Sequence, residues 1–262
     1  MAMHPAFRRR LLAGEPLVGT FMRLPTAAAA EILGFAGFDF LVADLEHSSL
    51  TVADLETLIR GADVAGVPVM VRLPEARPSL VQQVLDAGAA GIQIAQVDSP
   101  DVLEAAVKAA RYFPEGNRGL AFSHRAARYG MTSRSAYLAD ANGATVVAAQ
   151  IESAEAVKRL PDLLAVPGVD LFFVGPSDLS QSLGHPGETD HPEVAAAMEQ
   201  AVAAITGAGR IAGLYAGGPD AIPRWRPRGV SYFALGSDTG FLADRARDVI
   251  GTARGHLAAE GR

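Results

Sequence analysis

Glu152 and Asp178 sit just past the ends of two neighbouring strand-like runs, and no structural task is evident for either. The first run covers residues 144–151. The second covers 169–174 and passes through Gly175-Pro176-Ser177 before it reaches Asp178. A buried parallel strand reads as a near-continuous apolar run. In a barrel of alternating strands and helices, the residues just past the C-terminal strand ends build the active site. Two acids on adjacent strands there would suit a hard divalent cation.

Other ionisable groups fall at matching places. One run ends in Asp44-Leu45-Glu46-His47-Ser48, which puts His47 in the following loop. A histidine there can accept a proton near neutral pH, and the plainer role is a ring satisfied by loop backbone. The run 67–71 ends at Arg72. Two roles fit it equally: a structural ion pair with one of the acids, or a forked donor to a carboxylate or a developing enolate oxygen. Gly175 lets backbone approach a ligand closely. The amides around Ser177 can cradle a carboxylate, although Gly-Pro-Ser-Asp is also an ordinary turn.

These groups need elements to position them. Strand-like runs occur at 17–21, 40–43, 68–72, 91–95, 145–150, 170–174, 211–214 and 231–235. Helical stretches fall between them at 26–35, 52–64, 79–86, 100–111, 154–164, 192–206 and 219–224, with a last helix from Asp238 onward. Eight such βα units predict a single α/β domain, a (β/α)₈ TIM barrel spanning residues 1–262. One insertion, residues 113–141, breaks the rhythm. It holds the polar and aromatic run Ser123-His124-Arg125-Ala126-Ala127-Arg128-Tyr129 and a short helix at 135–141. Long loops at a barrel mouth are commonly functional. Arg125, Arg128 and Tyr129 would bind an acidic or polyhydroxylated substrate there, or make subunit contacts.

Composition narrows the chemistry. Hydrophobic residues make up 49% and charged residues 20%, enough for a large core and against disorder. The net charge of -6 argues against nucleic acid as a partner. The one basic run, Arg8-Arg9-Arg10, is expected as a solvated turn of a short first helix. There is no cysteine, hence no disulfide framework and no thiol nucleophile, which suits a reducing cytoplasm. No signal peptide and no membrane-spanning run is expected. The only lysines, Lys108 and Lys158, lie inside helical stretches, so a Schiff-base mechanism has no good candidate.

The combination of motifs is specific. Asp44-Leu45-Glu46-His47, Val71-Arg72-Leu73-Pro74, Arg111-Tyr112-Phe113-Pro114-Glu115-Gly116-Asn117-Arg118-Gly119, Gln150-Ile151-Glu152-Ser153 and Val174-Gly175-Pro176-Ser177-Asp178-Leu179-Ser180 occur in this order. Leu183-Gly184-His185-Pro186-Gly187 and His191-Pro192-Glu193-Val194 follow. Together they resemble the HpcH/HpaI aldolase family, the metal-dependent class II pyruvate aldolases. The resemblance implies a divalent ion (Mg²⁺, Mn²⁺ or Co²⁺) held by Glu152 and Asp178, with Gln150, Gly175, Ser177 and Asp178 around the keto acid. It implies His47 as part of the general base, Asp86 as an acid that raises that histidine's basicity, and Arg72 as the enolate stabiliser. The implied reaction cleaves a 4-hydroxy-2-keto acid to pyruvate, or a related keto acid such as hydroxypyruvate, and an aldehyde. The alternative within the same superfamily is a citramalyl- or malyl-CoA lyase or an oxaloacetate decarboxylase; an acidic, lysine-poor chain suits CoA phosphates badly. The resemblance also implies a homo-oligomer, a hexamer built as a trimer of dimers with the last helix exchanged. That helix carries an apolar stripe of Phe241, Leu242, Val249 and Ile250, which packing on its own barrel would equally explain. Two departures from the family stand out: Gly91-Ile92-Gln93-Ile94-Ala95-Gln96 lacks the usual proline, and Tyr215-Ala216-Gly217-Gly218-Pro219 differs from common members.

Overall fold

The predicted strands are apolar on both faces, as expected of strands covered by helices outside and by one another inside. In the computed structural model, which describes residues 4–260, they pair in parallel and close into a barrel in sequence order. The elements are α1 (Pro5–Leu12), β1 (Leu17–Met22), α2 (Ala27–Phe35), β2 (Phe40–Asp44), α3 (Val52–Ala65), β3 (Val69–Leu73), α4 (Pro78–Asp86), β4 (Gly91–Ile94) and α5 (Pro100–Ala110). Then come α6 (Arg134–Ala144), β5 (Val146–Ile151), α7 (Ala154–Lys158), α8 (Leu160–Leu164), β6 (Leu171–Val174), α9 (Pro176–Ser182) and α10 (Pro192–Gly207). The chain ends with β7 (Ile211–Ala216), α11 (Ile222–Trp225), β8 (Val230–Ser237) and α12 (Asp238–Glu260). No helix is long and apolar enough to cross a membrane.

Alternation along each strand divides the core in two. Leu41, Ala43, Val71, Ile92, Ala149 and Phe172 pack outward against helix residues such as Leu55, Val81, Leu103 and Leu163. Leu17, Phe40, Met70, Leu171 and Tyr232 fill the barrel, with the Phe40 and Tyr232 rings stacked 3.9 Å apart. Helix α1 closes the end where the strands begin, because its Phe7 and Leu11 are buried in that inner cluster. The basic run takes part in this closure. Arg8 donates to Asp170 at 2.7 Å, and Arg10 donates to Asp39 at 2.9 Å and to Glu15 at 2.8 Å. Only Arg9 is exposed, so the expected solvated turn is instead a set of ties between α1 and the barrel floor.

Three further expectations change. The helix predicted at 154–164 divides into α7 and α8, since Pro161 lacks an N–H and its ring crowds the carbonyl four residues back. The insertion joins α5 to β5, so it lies on the floor side of the barrel and not at the mouth; Arg125 there donates to Asp63 and to the carbonyl of Ala87. Helix α12 packs on its own barrel only at its start, where the Phe241 ring stacks on Phe38 with centroids 6.1 Å apart. Asp238 is buried and accepts from the amides of Arg23 and Leu24, but residues 241–258 are all exposed, Leu242 at 63% and Val249 at 54%. The helix runs on to Glu260.

Candidate active site

The inward positions nearest the mouth are polar on consecutive strands. Asp44 of β2 is the register partner of Arg72 of β3, which is the partner of Gln93 of β4. Below them the inward positions of the same strands are apolar (Val42, Met70). The Asp44 carboxylate is fully buried and accepts from Arg72 Nε at 2.9 Å and Nη2 at 2.6 Å. Arg23, just past β1, adds a contact at 3.1 Å, and the amides of Glu46 and His47 donate as the chain turns over it. Burial alone pushes the Asp44 carboxyl up, but Arg72 and these amides outweigh it and hold the group below the usual carboxylate range. Of the two roles open to Arg72 in the sequence, the ion pair is thus present. The same guanidinium lies 4.8 Å from the Phe21 ring centre, 3.3 Å from Glu46 Oε2, and on the wall of the mouth cavity.

That cavity measures about 330 Å³ and opens at the C-terminal ends of the strands. His47, Arg72, Gln150, Gly175, Ser177 and Asp178 line it, so the structure brings six of the sequence candidates together. Phe21, Arg23, Phe173 and Tyr215 complete the wall and were not singled out as site residues from sequence. Arg23 carries the same signal that marked Arg72, an arginine directly after a strand. Tyr215 begins one of the two segments that depart from the family.

Glu152 stands directly behind this wall, only 3% exposed. Its Oε2 accepts from the Gln150 carboxamide, whose oxygen in turn accepts from Gln93 at 2.7 Å. Its Oε1 accepts from the backbone N–H of Gln96 at 2.7 Å. Gln96 achieves this in a left-handed backbone conformation (φ 52°), which costs a non-glycine residue on the order of 1 kcal/mol. Its side chain meanwhile donates to Glu46 at 3.1 Å. Gln96 therefore couples two acids of the site, a role no sequence signal announced beyond the absent proline. Gly175 is required by closeness: a Cβ at this position would stand 2.9 Å from Glu152 Oε2.

The electrostatics test whether a cation fits. Burial pushes Glu152 up to about 7, against the hydrogen bonds from Gln96 and Gln150, and the charges of Asp178 and Glu46 add to the push. Among the described residues its hydrogen-bond partners are neutral. A buried carboxylate beside a second acid, with only dipoles for company, is relieved by a divalent ion more than by any other change. Two carboxylates with room for water and substrate oxygens form a donor set for a hard cation. Glu152, behind the cavity wall, and Asp178, on it, supply carboxylate oxygens of the kind such an ion takes.

Asp86 is not brought to this site. It ends α4, on the floor side of the barrel, where its carboxylate accepts from Arg118 at 2.6 Å and lies 3.4 Å from His124. His47 is at the opposite end, half exposed, with Glu46 Oε2 3.8 Å from its Nε2. The expected pairing of Asp86 with His47 therefore cannot form within one chain.

Comparison with known proteins agrees with the fold and the motifs. A family model described as HpcH/HpaI aldolase/citrate lyase matches residues 17–244. The chain is 37% identical over 249 residues to a hydroxypyruvate/pyruvate aldolase of Paraburkholderia phytofirmans, covering 93% of this chain and 95% of that one. It is 38% identical over 240 residues to a 2-keto-3-deoxy-L-rhamnonate aldolase of Escherichia coli, covering 91% and 89%. A crystal structure of a family member from Burkholderia cenocepacia superposes with a TM-score of 0.90 at 36% identity, over 96% of this chain and all (100%) of that one. The match spans every strand of the barrel and all the mouth residues described above, and the chain belongs to the HpcH/HpaI aldolase/citrate lyase family.

Proposed function

We propose that this carbon–carbon lyase is a divalent-metal-dependent aldolase. It cleaves a 4-hydroxy-2-keto acid to an aldehyde and pyruvate, or a related keto acid such as hydroxypyruvate. The observation that carries this reading is Glu152: a buried acid with no counter-ion among the described residues, near enough to Asp178 to feel its charge, behind a mouth cavity lined by Asp178 and Arg72. The aldolases named above support the substrate class.

Glu152 and Asp178 would hold Mg²⁺, Mn²⁺ or Co²⁺, which as a Lewis acid draws electrons from the keto carbonyl. The chain's own residues do the rest. The Gln150 carboxamide and the first-turn amides of α9, at Ser177 and Asp178, have no helical partner to satisfy and orient the keto-acid carboxylate. His47, at the rim, takes the proton of the C4 hydroxyl. The C3–C4 bond then breaks, its electrons pass into the enolate, and the aldehyde is released. Arg72 stands where the enolate oxygen gathers charge. Protonation at C3 gives the keto acid.

Chelation with EDTA is expected to abolish turnover, and added Mn²⁺, Co²⁺ or Mg²⁺ to restore it. The check is a coupled assay for pyruvate release from a 4-hydroxy-2-keto acid. Full turnover in metal-free enzyme, or borohydride trapping of pyruvate on Lys108 or Lys158, would contradict the reading.

The same reading makes the active particle an oligomer, by expectation a hexamer. Helix α12 exposes Phe241, Leu242, Val249 and Ile250 along one stripe, and a second copy is the natural cover for it. Contact between copies would also let Asp86 of one subunit serve His47 of another. A V249D/I250D variant is expected to show a smaller particle in light scattering and to lose activity with it. An unchanged mass would remove α12 from the assembly.

A further inference from the structure

The chain between Arg159 and Arg210 contains no lysine or arginine but seven acids, Asp178 among them. This stretch supplies β6, α9 and α10, and its compensating charges come from elsewhere in the chain: Arg8 and Arg111 for Asp170, Arg224 and Arg228 for Glu199. In the loop between α9 and α10 it also supplies two imidazoles. The rings of His185 and His191 stack with centroids 3.5 Å apart and planes 18° from parallel. His185 Nε2 lies 2.9 Å from Glu193 Oε2. One ligand atom from each of His185, His191 and Glu193 falls within 4.8 Å of the others, the only such trio among the described residues.

The loop is built to hold this arrangement. Gly184 and Gly187 take left-handed conformations (φ 84° and 83°) that turn the chain back on α9. Buried Ser180 pins it there, its carbonyl accepting from the His185 amide at 2.8 Å and its hydroxyl from the Gly187 amide at 3.1 Å. His191 caps α10 through Nδ1, which accepts from the Glu193 amide at 3.3 Å and leaves Nε2 outward. None of these side chains lines the mouth cavity, and the mechanism above does not use them.

We propose that His185, His191 and Glu193 form a second metal site, distinct from the catalytic one and of different chemistry. Two imidazoles and one carboxylate suit a borderline transition ion of the Zn²⁺ class, whereas the oxygen-only pair Glu152 and Asp178 suits Mg²⁺ or Mn²⁺. Tetrahedral coordination at about 2.0–2.1 Å per bond needs donors about 3.3 Å apart. The trio reaches that by rotating partly exposed side chains, with water as the fourth ligand. The positive end of α10 opposes the ion, and Glu188, Asp190 and Glu193 offset it. The nearest arginine on the adjoining pocket wall, Arg224, is engaged by Glu199 at 3.1 Å. A bound ion would clamp the α9–α10 loop and so steady the helix that carries Asp178.

The test is calorimetric titration of the full chain with Zn²⁺ in excess Mg²⁺, which keeps the oxygen site filled. Wild type is compared with H185N, H191Q and E152Q. One Zn²⁺ is expected to bind wild type and E152Q alike, and each histidine variant is expected to weaken binding on the order of 100-fold. Hydrogen exchange across residues 183–193 is expected to slow on Zn²⁺ addition in wild type and E152Q but not in the histidine variants. Absence of Zn²⁺ binding, binding that survives in H191Q, or binding lost in E152Q would each overturn the second site. Binding without slowed exchange would overturn the clamp. Because E152Q disables the catalytic metal site, failure of the aldolase reading and failure of this one give different patterns.

Discussion

The E152Q variant is expected to be nearly inactive and, without metal, more stable than wild type above pH 7. Folding raises the Glu152 pKa from 4.5 to about 7. A raised carboxylate pKa means that the native state binds the proton more tightly than the unfolded chain does. Stability is therefore intact below pH 4.5, is lost as pH rises toward 7, and stays lost above it. The shift corresponds to about 3 kcal/mol. Glutamine does not ionise and escapes that loss, so the difference between E152Q and wild type should open between pH 4.5 and 7. Urea denaturation of both metal-free proteins across this range measures it. At a hundred times its dissociation constant Mn²⁺ should close most of that gap, since an ion bound only to the native state then stabilises by about 2.7 kcal/mol. Turnover in E152Q should fall on the order of 1000-fold, the loss of several kcal/mol of Lewis-acid assistance. Equal stability profiles for the two proteins would show that Glu152 carries no buried charge.

Replacement of Arg72 should damage two reactions at once. R72A is expected to lose both aldol cleavage and exchange of the pyruvate methyl protons with deuterium, because both pass through the same enolate. Each rate should fall about 100- to 1000-fold, the usual consequence of removing one donor from a developing oxyanion. The variant should also lose about 3 kcal/mol of stability, since Asp44 is fully buried and keeps only Arg23 and two amides. R72K separates the effects. A lysine retains the charge near Asp44 but cannot fork across both carboxylate oxygens, so folding should largely recover while exchange stays slow. Proton NMR of pyruvate in D₂O gives the exchange rate directly. Normal exchange in a folded R72A protein would take Arg72 out of the chemistry.

The barrel was legible because its strands are short apolar runs punctuated by glycine and proline, and a parallel barrel has few other ways to bury such runs. Strand ends shifted by a residue or two, as with Val69–Leu73 against 68–72. The mouth residues were legible for the same reason: position at or just past the C-terminal end of a strand is a topological fact, and His47, Arg72, Gln150, Ser177 and Asp178 all obey it. Asp86 lies away from His47 of its own chain by that same rule. A residue at the end of a helix belongs to the opposite face, and the motif that suggested it carries no information about which subunit it serves. The long insertion failed as a mouth loop, because its place between α5 and β5 fixes its side of the barrel. Partnerships across strands stayed hidden. Nothing in the sequence pairs Gln96 with both Glu46 and Glu152, since that depends on one left-handed residue. Nor does it show that Asp44 is the anchor beneath Arg72, which requires the register of β2 against β3.

The barrel interior, packed by Phe40, Met70, Leu171 and Tyr232 and closed below by Phe7 and Leu11, leaves the mouth as a dead end. Everything that reacts must enter and leave by the same door, past His47. On the proposed reading the keto-acid end of the substrate would be anchored beside Gln150 in the inner berth, with the aldehyde portion between it and water. In cleavage the aldehyde must depart before pyruvate can; in synthesis pyruvate must arrive first. Queue order would then follow from side chains that never meet the reactants, the packed layer of Phe40, Met70, Leu171 and Tyr232 below the mouth.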